Sequence, residues 1–435
     1  MTNPIPFSAA VAVWTRVALL SFGGPAGQIA VMHRIVVEEK GWVDDARFTH
    51  ALNFCMLLPG PEAQQLATYL GWMLHGVRGG VVAGAFFVLP GIIALLLLSW
   101  AYAVGADAGP VEALFFGLKC AVLAIVVQAL VRIAGKTVHG ALPLGLAISA
   151  FVALYFFNLL FPLVILAAGA IGLMAHRAGW MNDRNGIPDS VPRSGRPDRA
   201  SLAAGIICLV AWLVPVAIIW MILGSESVFT QIAGFFSTMA VVTFGGAYAV
   251  LAFVAQQAVE NYGWLMPGEM LDGLGLAETT PGPLIMVVQF VGFLGAWRDP
   301  QALSPLMAGT LGGLLATWVT FLPSFVWIFL LAPWMESLRG NRRIRAALSA
   351  ITAAVVGVIA SLALWFAMNV VFARTRRIDA GWLDFQAPVA ESLDPLALVL
   401  TVAALVAALY FRLGVFTLIA GGAGLGLAGH FMGLV

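Results

Sequence analysis

Charge is scarce in this sequence of 435 residues: only 10% of the residues are Asp, Glu, Lys or Arg, whereas 61% are apolar. A soluble domain usually carries about 25% charged residues, which cover its water-exposed surface. So few charges exclude a soluble protein of this size, and the sequence therefore predicts a chain whose solvent is lipid. The formal net charge is +1 and no basic tract is present, so nothing indicates a nucleic-acid partner.

Cysteine is also rare, and Cys55, Cys120 and Cys208 stand apart in apolar stretches. The sequence has no CxxC pair and no His or Cys spacing typical of metal ligands, so we predict neither a disulfide framework nor a metal site. It has no HExxH, GxSxG or Walker A motif. A GxGxxG match at 424–429 lies inside an apolar run, where small residues serve close helix contacts. We therefore expect no enzyme and no cofactor.

Long apolar runs, in contrast, are plentiful. A bilayer core of about 30 Å requires about 20 apolar residues per helix. Nine runs are long enough for helices, or nearly so: 80–104, 111–134, 141–158, 160–177, 201–223, 304–334, 346–373, 395–412 and 414–433. Two further regions, 5–75 and 228–297, are apolar but broken by glycine, proline and charge. The sequence predicts an all-α, polytopic membrane protein with about 10 to 14 membrane-embedded helices.

The N-terminal residues lack the positively charged region of a signal peptide, and Arg16 interrupts their apolar run. We therefore expect this segment to stay in the protein as part of the first membrane helix rather than to be cleaved.

An internal repeat is the strongest signal in the sequence. Phe22-Gly23-Gly24 recurs as Phe244-Gly245-Gly246, and Pro59-Gly60-Pro61 recurs as Pro281-Gly282-Pro283, both at a shift of 222 residues. Leu89-Pro90 matches Leu322-Pro323 at a shift of 233, which indicates a short insertion in the second copy. We predict two homologous repeats, 1–177 and 201–435. They are joined by a linker, 178–200, whose arginines and prolines place it in the cytoplasm by the positive-inside rule.

The loops between helices favour opposite orientations of the two repeats. The loop at 104–112 contains two acids and no Lys or Arg, whereas its repeat partner at 336–345 contains four arginines. Equivalent loops with opposite basic bias lie on opposite sides of a membrane. However, both 132–136 and 374–377 are basic, which argues for parallel repeats. Inverted repeats are favoured, and the parallel arrangement stays open.

The Pro-Gly-Pro sequences predict helix breaks inside the membrane, because each proline lacks a backbone donor and glycine adopts unusual dihedral angles. The helical runs 46–58 and 62–75 would meet at the first break. The N-terminus of a half-helix offers free amides and a partial positive charge, which bind anions. Packing kinks are the alternative explanation. The predicted binding residues at the breaks are Gly23, Gly24, Pro25, Pro59, Gly60, Pro61, Gly245, Gly246, Thr280, Pro281, Gly282 and Pro283.

Charged and polar residues near the breaks complete the predicted site. Arg16 and Lys119 lie inside apolar helices, where charges are costly, and could attract an anion. Snorkelling of either side chain to an interface is the alternative. Gln65 could donate a hydrogen bond, as could the hydroxyl of Thr280. Two acids are candidate proton carriers, Glu62 and Glu278, although Glu62 also suits a helix cap.

These residues resemble those of the chromate ion transporter family, over nearly the whole chain. The resemblance rests on Phe22–Pro25, Lys40–Trp42, Leu58–Pro61, Gln65–Ala67, Gly79–Gly80, Leu89–Gly91 and the second-half versions of these motifs. It implies a multi-pass protein of the bacterial inner membrane that exports chromate and confers chromate resistance. Sulfate is the implied competitor, and oppositely oriented halves are implied as well. The second half departs from the first at Ala247, where the first has Pro25, and at Leu284, where the first has Glu62.

Exit of a dianion from a cell that is negative inside is favoured by about 2 × 2.3 kcal/mol per 100 mV. Export therefore needs no coupling ion, although exchange for protons through Glu62 or Glu278 stays open. The alternative function is uptake of sulfate or another oxyanion, which runs against the potential and requires ion symport. The bilayer is the expected environment, and the sequence leaves a homodimer open.

Overall fold

The structure, a computed structural model, describes residues 5–105, 108–178, 199–242, 244, 247–332 and 342–434. It is mostly helical. In the first part of the chain the helices are α1 Phe7–Leu20, α2 Gly24–His33, α3 Asp45–Cys55, α4 Glu62–Gly105, α5 Gly109–Thr137, α6 Ala141–Tyr155 and α7 Phe161–Arg177. In the second part they are α8 Arg199–Leu223, α9 Val228–Val242, α10 Ala247–Gln256, α11 Pro267–Thr279, α12 Val287–Arg298, α13 Pro305–Leu331, α14 Arg342–Val371, α15 Pro395–Leu409 and α16 Val415–Phe431.

Each of the nine predicted apolar runs corresponds to one helix. Five of the described helices are long and apolar enough to cross a membrane, and seven shorter ones are apolar. The five long helices are α4, α5, α8, α13 and α14. The prediction of a polytopic helical membrane protein is confirmed at this level.

The expectation of an all-α chain is wrong for one short segment. Strands β1 (Thr375–Ala380) and β2 (Leu383–Pro388) pair antiparallel as a hairpin. Gly381 in the turn has a φ of +74°, which glycine adopts without strain. The hairpin follows α14, where the chain has left its apolar run, so its backbone has to find partners within the hairpin or in water.

Bonds from Asp384 hold this hairpin against the end of α6. The Asp384 carboxylate accepts two hydrogen bonds from Arg377, at 2.6 and 2.5 Å, and a third from Asn158 at 3.0 Å. The Asp384 amide donates to Phe156 O at 2.9 Å. The Arg377 guanidinium, helped by the Asn158 amide, lowers the pKa of Asp384 below its ordinary value of 3.8. The lowered pKa stabilises the folded form fully above the ordinary value, and this stabilisation is lost as the pH falls below 3.8 and through the lowered pKa of the folded state.

We expect Asp384→Asn to speed hydrogen exchange of the hairpin amides about twofold to fivefold at neutral pH, because the ion pair is partly exposed and contributes little. Hydrogen exchange read by mass spectrometry is the measurement. The wild-type hairpin should approach the variant's rate below pH 3.8, once exchange is corrected for pH. Equal protection of the two proteins at neutral pH would show that the carboxylate does not hold the hairpin.

The described residues fall into two compact units, and each unit draws on both predicted repeats. The first unit takes its residues from Met1–Leu97, Gly179–Ala247 and Thr280–Arg345, and the second from Leu98–Ala178, Tyr248–Thr279 and Ala346–Val435. The predicted division into 1–177 and 201–435 rests on repeated sequence motifs, whereas the two units are defined by contacts in the structure. The division into repeats therefore stays a prediction. Of the predicted linker, residues 179–198 lie outside the described part of the chain.

In the first unit, α4 is a helical hairpin folded at His75 and Gly76, whose dihedral angles are not helical. The two arms pack closely through glycine. A methyl group at Gly71 would lie 2.4 Å from Gly79 O, and one at Gly84 would lie 2.2 Å from Thr68 Oγ1. Helices α12 and α13 pack in the same manner. A core that includes Trp14, Met32, Phe54, Phe87 and Phe329 fills this unit.

In the second unit, α5 packs against α11, α15 and α16. Small residues allow the closest approach: a methyl group at Gly117 would lie 2.0 Å from Gly422 O, and one at Gly426 would lie 2.1 Å from Ala113 O. The glycines at 424–429 therefore include one that serves helix contact, as predicted. Van der Waals packing of this kind drives helix association in lipid.

Local backbone conformation recurs in two segments of the chain, 7–55 and 228–279, at the offset of the predicted repeats. Helices α1, α2 and α3 correspond to α9, α10 and α11 at a shift near 222 residues. A π-helical turn follows α2 at Arg34–Glu39, and another follows α10 at Gln257–Asn261. Gly41 and Gly263 have φ values of +60° and +62°. Local conformation therefore repeats along with the sequence motifs.

Candidate functional site

The predicted helix breaks are present in the structure. Helix α3 ends at Cys55, a few residues earlier than expected, and α4 begins at Glu62. The second break separates the end of α11 at Thr279 from a 3₁₀ turn at Leu284–Met286. Gly60 and Gly282, at the centres of the two breaks, have φ values of +116° and +104°. These values favour glycine, which explains why this residue lies between the prolines.

A third break lies between α1, which ends at Leu20, and α2, which begins at Gly24. Gly23 has a φ of +77°, and Pro25 occupies the first turn of α2. The equivalent glycines of the second half, Gly245 and Gly246, lie outside the described residues. The structure therefore describes three of the four predicted breaks, and all three belong to the first unit.

The second break contacts the residues around the third. The Gly282 amide donates a hydrogen bond to Ser21 O at 2.8 Å. The side chain of Gln28, in α2, donates through Nε2 to Gly282 O at 2.5 Å. The backbone N–H and C=O of Gly282 are thus both bound by residues more than 250 positions earlier in the chain, and Gln28 is 254 positions away.

The two Pro-Gly-Pro breaks also make reciprocal contacts with the long helices. A methyl group at Gly91, in α4, would lie 2.7 Å from Pro281 O. A methyl group at Gly60 would lie 3.3 Å from Ser324 Oγ, in α13. Each break therefore packs against a long helix of the other predicted repeat, next to the proline of that helix.

The register of the helical hairpins brings these contacts to one level. In α4, Gly71 lies against Gly79 and Thr68 lies against Gly84, and continuing this antiparallel pairing places Pro61 at the level of residues 89–91. In the second hairpin, Gly292 lies against Gly312, and the same pairing places Gly282 beside the proline of α13. Both breaks and both proline-containing turns therefore meet in one region of the first unit. We call this region, formed by residues 59–61, 90–91, 281–283 and 323–324, the break cluster.

Uncharged polar groups line the break cluster. Gln65 Nε2 donates to Pro59 O at 2.7 Å, and Gln289 Nε2 donates to Ile92 O at 2.9 Å. Gln64 and Gln65 are fully buried, as is Gln289. The amides at the starts of α4 and of the 3₁₀ turn have no acceptor within their own helix, which gives these ends a partial positive charge. Such ends suit an anion.

The two predicted cations are both paired with acids. Arg16 donates to the two carboxylate oxygens of Glu39 at 2.5 and 3.2 Å, and its side chain is 48% exposed. Lys119 belongs to the second unit, where its Nζ lies 3.4 Å from Asp272 Oδ2. Asp272 also accepts a hydrogen bond from Tyr102 at 2.8 Å. Asp272 was not among the residues predicted from the sequence, although an acid within the apolar run of α11 was a signal for it.

The two acids proposed as proton carriers have different surroundings. Glu62 is partly buried in the first turn of α4, as predicted. Glu278 belongs to the second unit and is 3% exposed. Its Oε1 accepts a hydrogen bond from Tyr248 at 2.8 Å, and its Oε2 has no hydrogen-bond partner among the described residues. The sequence analysis did not identify Tyr248.

A cavity of about 310 Å³ lies beneath the hairpin in the second unit. Its charged lining residues are Glu260, Arg377 and Asp384, and Arg377 is bound to Asp384. The single cation is thus outnumbered by two carboxylates, so the lining does not suit a dianion. The sequence analysis did not predict this cavity.

Known proteins are similar to this chain over both parts that form the break cluster. The family model described as "Chromate transporter" matches residues 9–173 and 230–427. A chromate transport protein of Pseudomonas aeruginosa is 32% identical over 369 residues, which cover 82% of this chain and 80% of that protein. One of Cupriavidus metallidurans is 27% identical and covers 80% of each chain. An uncharacterized transporter of Methanocaldococcus jannaschii is 24% identical, covering 82% of this chain and 83% of that protein. No solved structure matches the chain.

Proposed function

Because the chain belongs to the chromate transporter family, we propose that it is a secondary transporter that exports chromate across the inner membrane and thereby confers chromate resistance. The names of the relatives support chromate as the substrate. Membership in a transporter family implies a transporter rather than an enzyme. The observation that carries the proposal is the break cluster, where helix ends from both predicted repeats converge inside an apolar protein.

We propose that the oxyanion binds at this cluster. Residues 59–61 and 280–283 interrupt the helices. The backbone amides at the starts of α4 and of the 3₁₀ turn would donate hydrogen bonds to the oxyanion. Gly23, Gly24 and Pro25 support the cluster through α2, whose Gln28 binds Gly282. Gly245 and Gly246 complete the set by their sequence equivalence to Gly23 and Gly24. Arg16 and Lys119 would contact the anion only after leaving their carboxylate partners.

Two inverted repeats would account for this arrangement. The equivalent α1–α3 and α9–α11 segments and the reciprocal packing of the breaks support a duplication. A substrate site at the interface of inverted repeats, built from broken helices, is common among secondary transporters.

The membrane potential drives the proposed export, since a dianion gains about 2 × 2.3 kcal/mol per 100 mV on leaving a cell that is negative inside. Exchange for protons is a second mechanism. The buried Glu278 oxygen that has no partner among the described residues supports it, because a proton there would remove an unpaired charge from the apolar protein interior. Glu62 is the candidate proton carrier in the first unit.

The deciding experiment is chromate transport in inside-out membrane vesicles at a clamped potential, with and without a pH gradient. We expect chromate to accumulate when the lumen is positive, and sulfate to compete. Accumulation that requires a proton gradient at zero potential would indicate proton exchange. If chromate enters only right-side-out vesicles, and only with a proton or sodium gradient, the protein is an oxyanion importer instead.

In the same assay, we expect Pro59→Ala to abolish chromate transport and chromate resistance, because a helix that continues through residue 59 closes the break. We expect Arg16→Ala to do the same if the guanidinium contacts the anion. Membrane insertion, checked by fractionation, should be unchanged.

The Arg16–Glu39 ion pair supplies the control for this test. Glu39→Gln removes the pair but keeps the cation. Loss of transport in Arg16→Ala with normal transport in Glu39→Gln supports a role in anion binding, whereas equal loss in both variants shows that Arg16 acts through the ion pair. Normal transport in Pro59→Ala and Arg16→Ala together would contradict the proposed site.

A further inference from the structure

Two buried glutamines bind the carbonyl groups that the helix breaks leave open. Gln65 Nε2 donates to Pro59 O at 2.7 Å, and Gln28 Nε2 donates to Gly282 O at 2.5 Å. Both side chains are at most 1% exposed. A primary amide carries two hydrogens on its nitrogen, and each of these bonds uses one. Each glutamine therefore keeps a second donor at a break.

Several polar atoms in the same region have no hydrogen-bond partner. Within the described residues these include Gln28 Oε1, Gln65 Oε1 and Ser324 Oγ, and Ser324 is 1% exposed. Gln65 Nε2 and Ser324 Oγ both lie within 3.3 Å of the point where a methyl group on Gly60 would be. Buried polar atoms are nearly always paired, so unpaired ones at both Pro-Gly-Pro breaks indicate that water or a ligand satisfies them there.

We propose that Gln28, Gln65 and Ser324 bind the transported oxyanion directly, so that uncharged hydrogen-bond donors recognise it. This inference rests on the proposed transport function. The amide hydrogens not used by Pro59 O and Gly282 O, the Ser324 hydroxyl and the amides at the start of α4 would point at the oxyanion. A fully deprotonated tetrahedral oxyanion only accepts hydrogen bonds, so it matches a set of donors. Between transport events, water satisfies the glutamine oxygens.

The residues of the break cluster include no Lys or Arg, and this absence of a cation among them also suits transport. A lysine or arginine beside a dianion in protein of low dielectric constant would hold it strongly and slow its release. Neutral donors replace the hydration shell and still let the ion leave, which conduction and transport both require. In the first unit, the cation predicted at the site, Arg16, is bound to Glu39 and half exposed.

The test is equilibrium binding of radiolabelled chromate to the full-length protein in lipid nanodiscs. We expect the Kd to rise about tenfold or more in Gln65→Met and in Gln28→Met, and about threefold to tenfold in Ser324→Ala, since hydrogen bonds to a charged group are the stronger ones. Methionine keeps the length and volume of glutamine but has no amide. Each variant is first checked for a wild-type melting temperature and elution volume.

Gln128→Met is the matched control. Gln128 Nε2 also donates to a backbone carbonyl, Ala408 O, at 2.9 Å, but it belongs to the second unit, whereas the described breaks belong to the first. Its loss should leave the Kd within about twofold of wild type, because no ligand contact is removed. If Gln28 and Gln65 served only packing, their folded methionine variants would likewise keep the wild-type Kd.

The outcomes separate the two proposals. If the wild-type protein neither binds nor transports chromate, the proposed function fails. If the wild type binds chromate and the folded Gln28, Gln65 and Ser324 variants bind it equally well, the function stands and this inference is wrong. If Gln28→Met and Gln65→Met do not fold, Ser324→Ala alone decides, because a serine hydroxyl without a partner is not needed for folding.

Discussion

Alanine in place of Gly91 is expected to reduce chromate transport at least about tenfold without preventing membrane insertion. The added methyl group would lie 2.7 Å from Pro281 O and 3.1 Å from Met286 Cε. The oxygen belongs to the backbone of a helix break and cannot rotate away, so the break itself has to move. Overpacking of this kind costs about 1–3 kcal/mol, and here the cost falls on the proposed binding geometry. Initial rates in inside-out vesicles measure the effect.

Gly234 provides the control for this substitution. It lies within α9 of the first unit, and a methyl group there would have no atom within 4 Å outside its own helix. Gly234→Ala should therefore transport chromate at the wild-type rate and be slightly more stable, by about 1 kcal/mol. Wild-type transport by Gly91→Ala would show that the contact between α4 and the second break is dispensable.

Loss of the Lys119 side chain is expected to destabilise the protein by about 3–5 kcal/mol, since it leaves a buried carboxylate without its cation. The Asp272 side chain is 4% exposed, and among the described residues Tyr102 alone would still donate a hydrogen bond to it. Chemical unfolding of Lys119→Ala in detergent is the measurement. The exposed pair of Arg47 and Asp44 is the control, and Arg47→Ala should cost less than about 1 kcal/mol.

The double variant Lys119→Met/Asp272→Leu distinguishes a structural pair from a functional one. Apolar residues of similar size often replace a buried ion pair without loss of stability. We therefore expect the double variant to regain most of the wild-type stability. If it also transports chromate normally, the prediction that Lys119 contacts the oxyanion is wrong. If it is stable but inactive, Lys119 or Asp272 takes part in transport.

The sequence indicated the helix breaks because their cause is local. Proline lacks an amide donor, and Gly60 and Gly282 adopt φ values that other residues avoid. Apolar runs longer than 17 residues likewise identify membrane helices by composition alone. Both features could be predicted without knowing which distant residues are in contact in the folded protein.

The contacts that assemble the site could not be predicted in this way. Gln28 and Gly282 are 254 positions apart, and no pattern in either segment indicates that they meet. The pairing of Lys119 with Asp272 depends on the packing of α5 against α11, which composition does not reveal. The hairpin at 375–388 was missed because strong signals for helices on either side dominated a short polar segment.

The reciprocal packing of Gly60 with Ser324 and of Gly91 with Pro281 has a consequence for how such a protein evolves. After a duplication, two copies are usually free to diverge, because each can change without the other. Between the two predicted repeats of this chain, a larger side chain at Gly60 or Gly91 of the first meets the hydroxyl or the backbone of the second, so each repeat limits the changes that the other tolerates. A gene that encoded one copy alone would have to supply the missing surface from a second polypeptide.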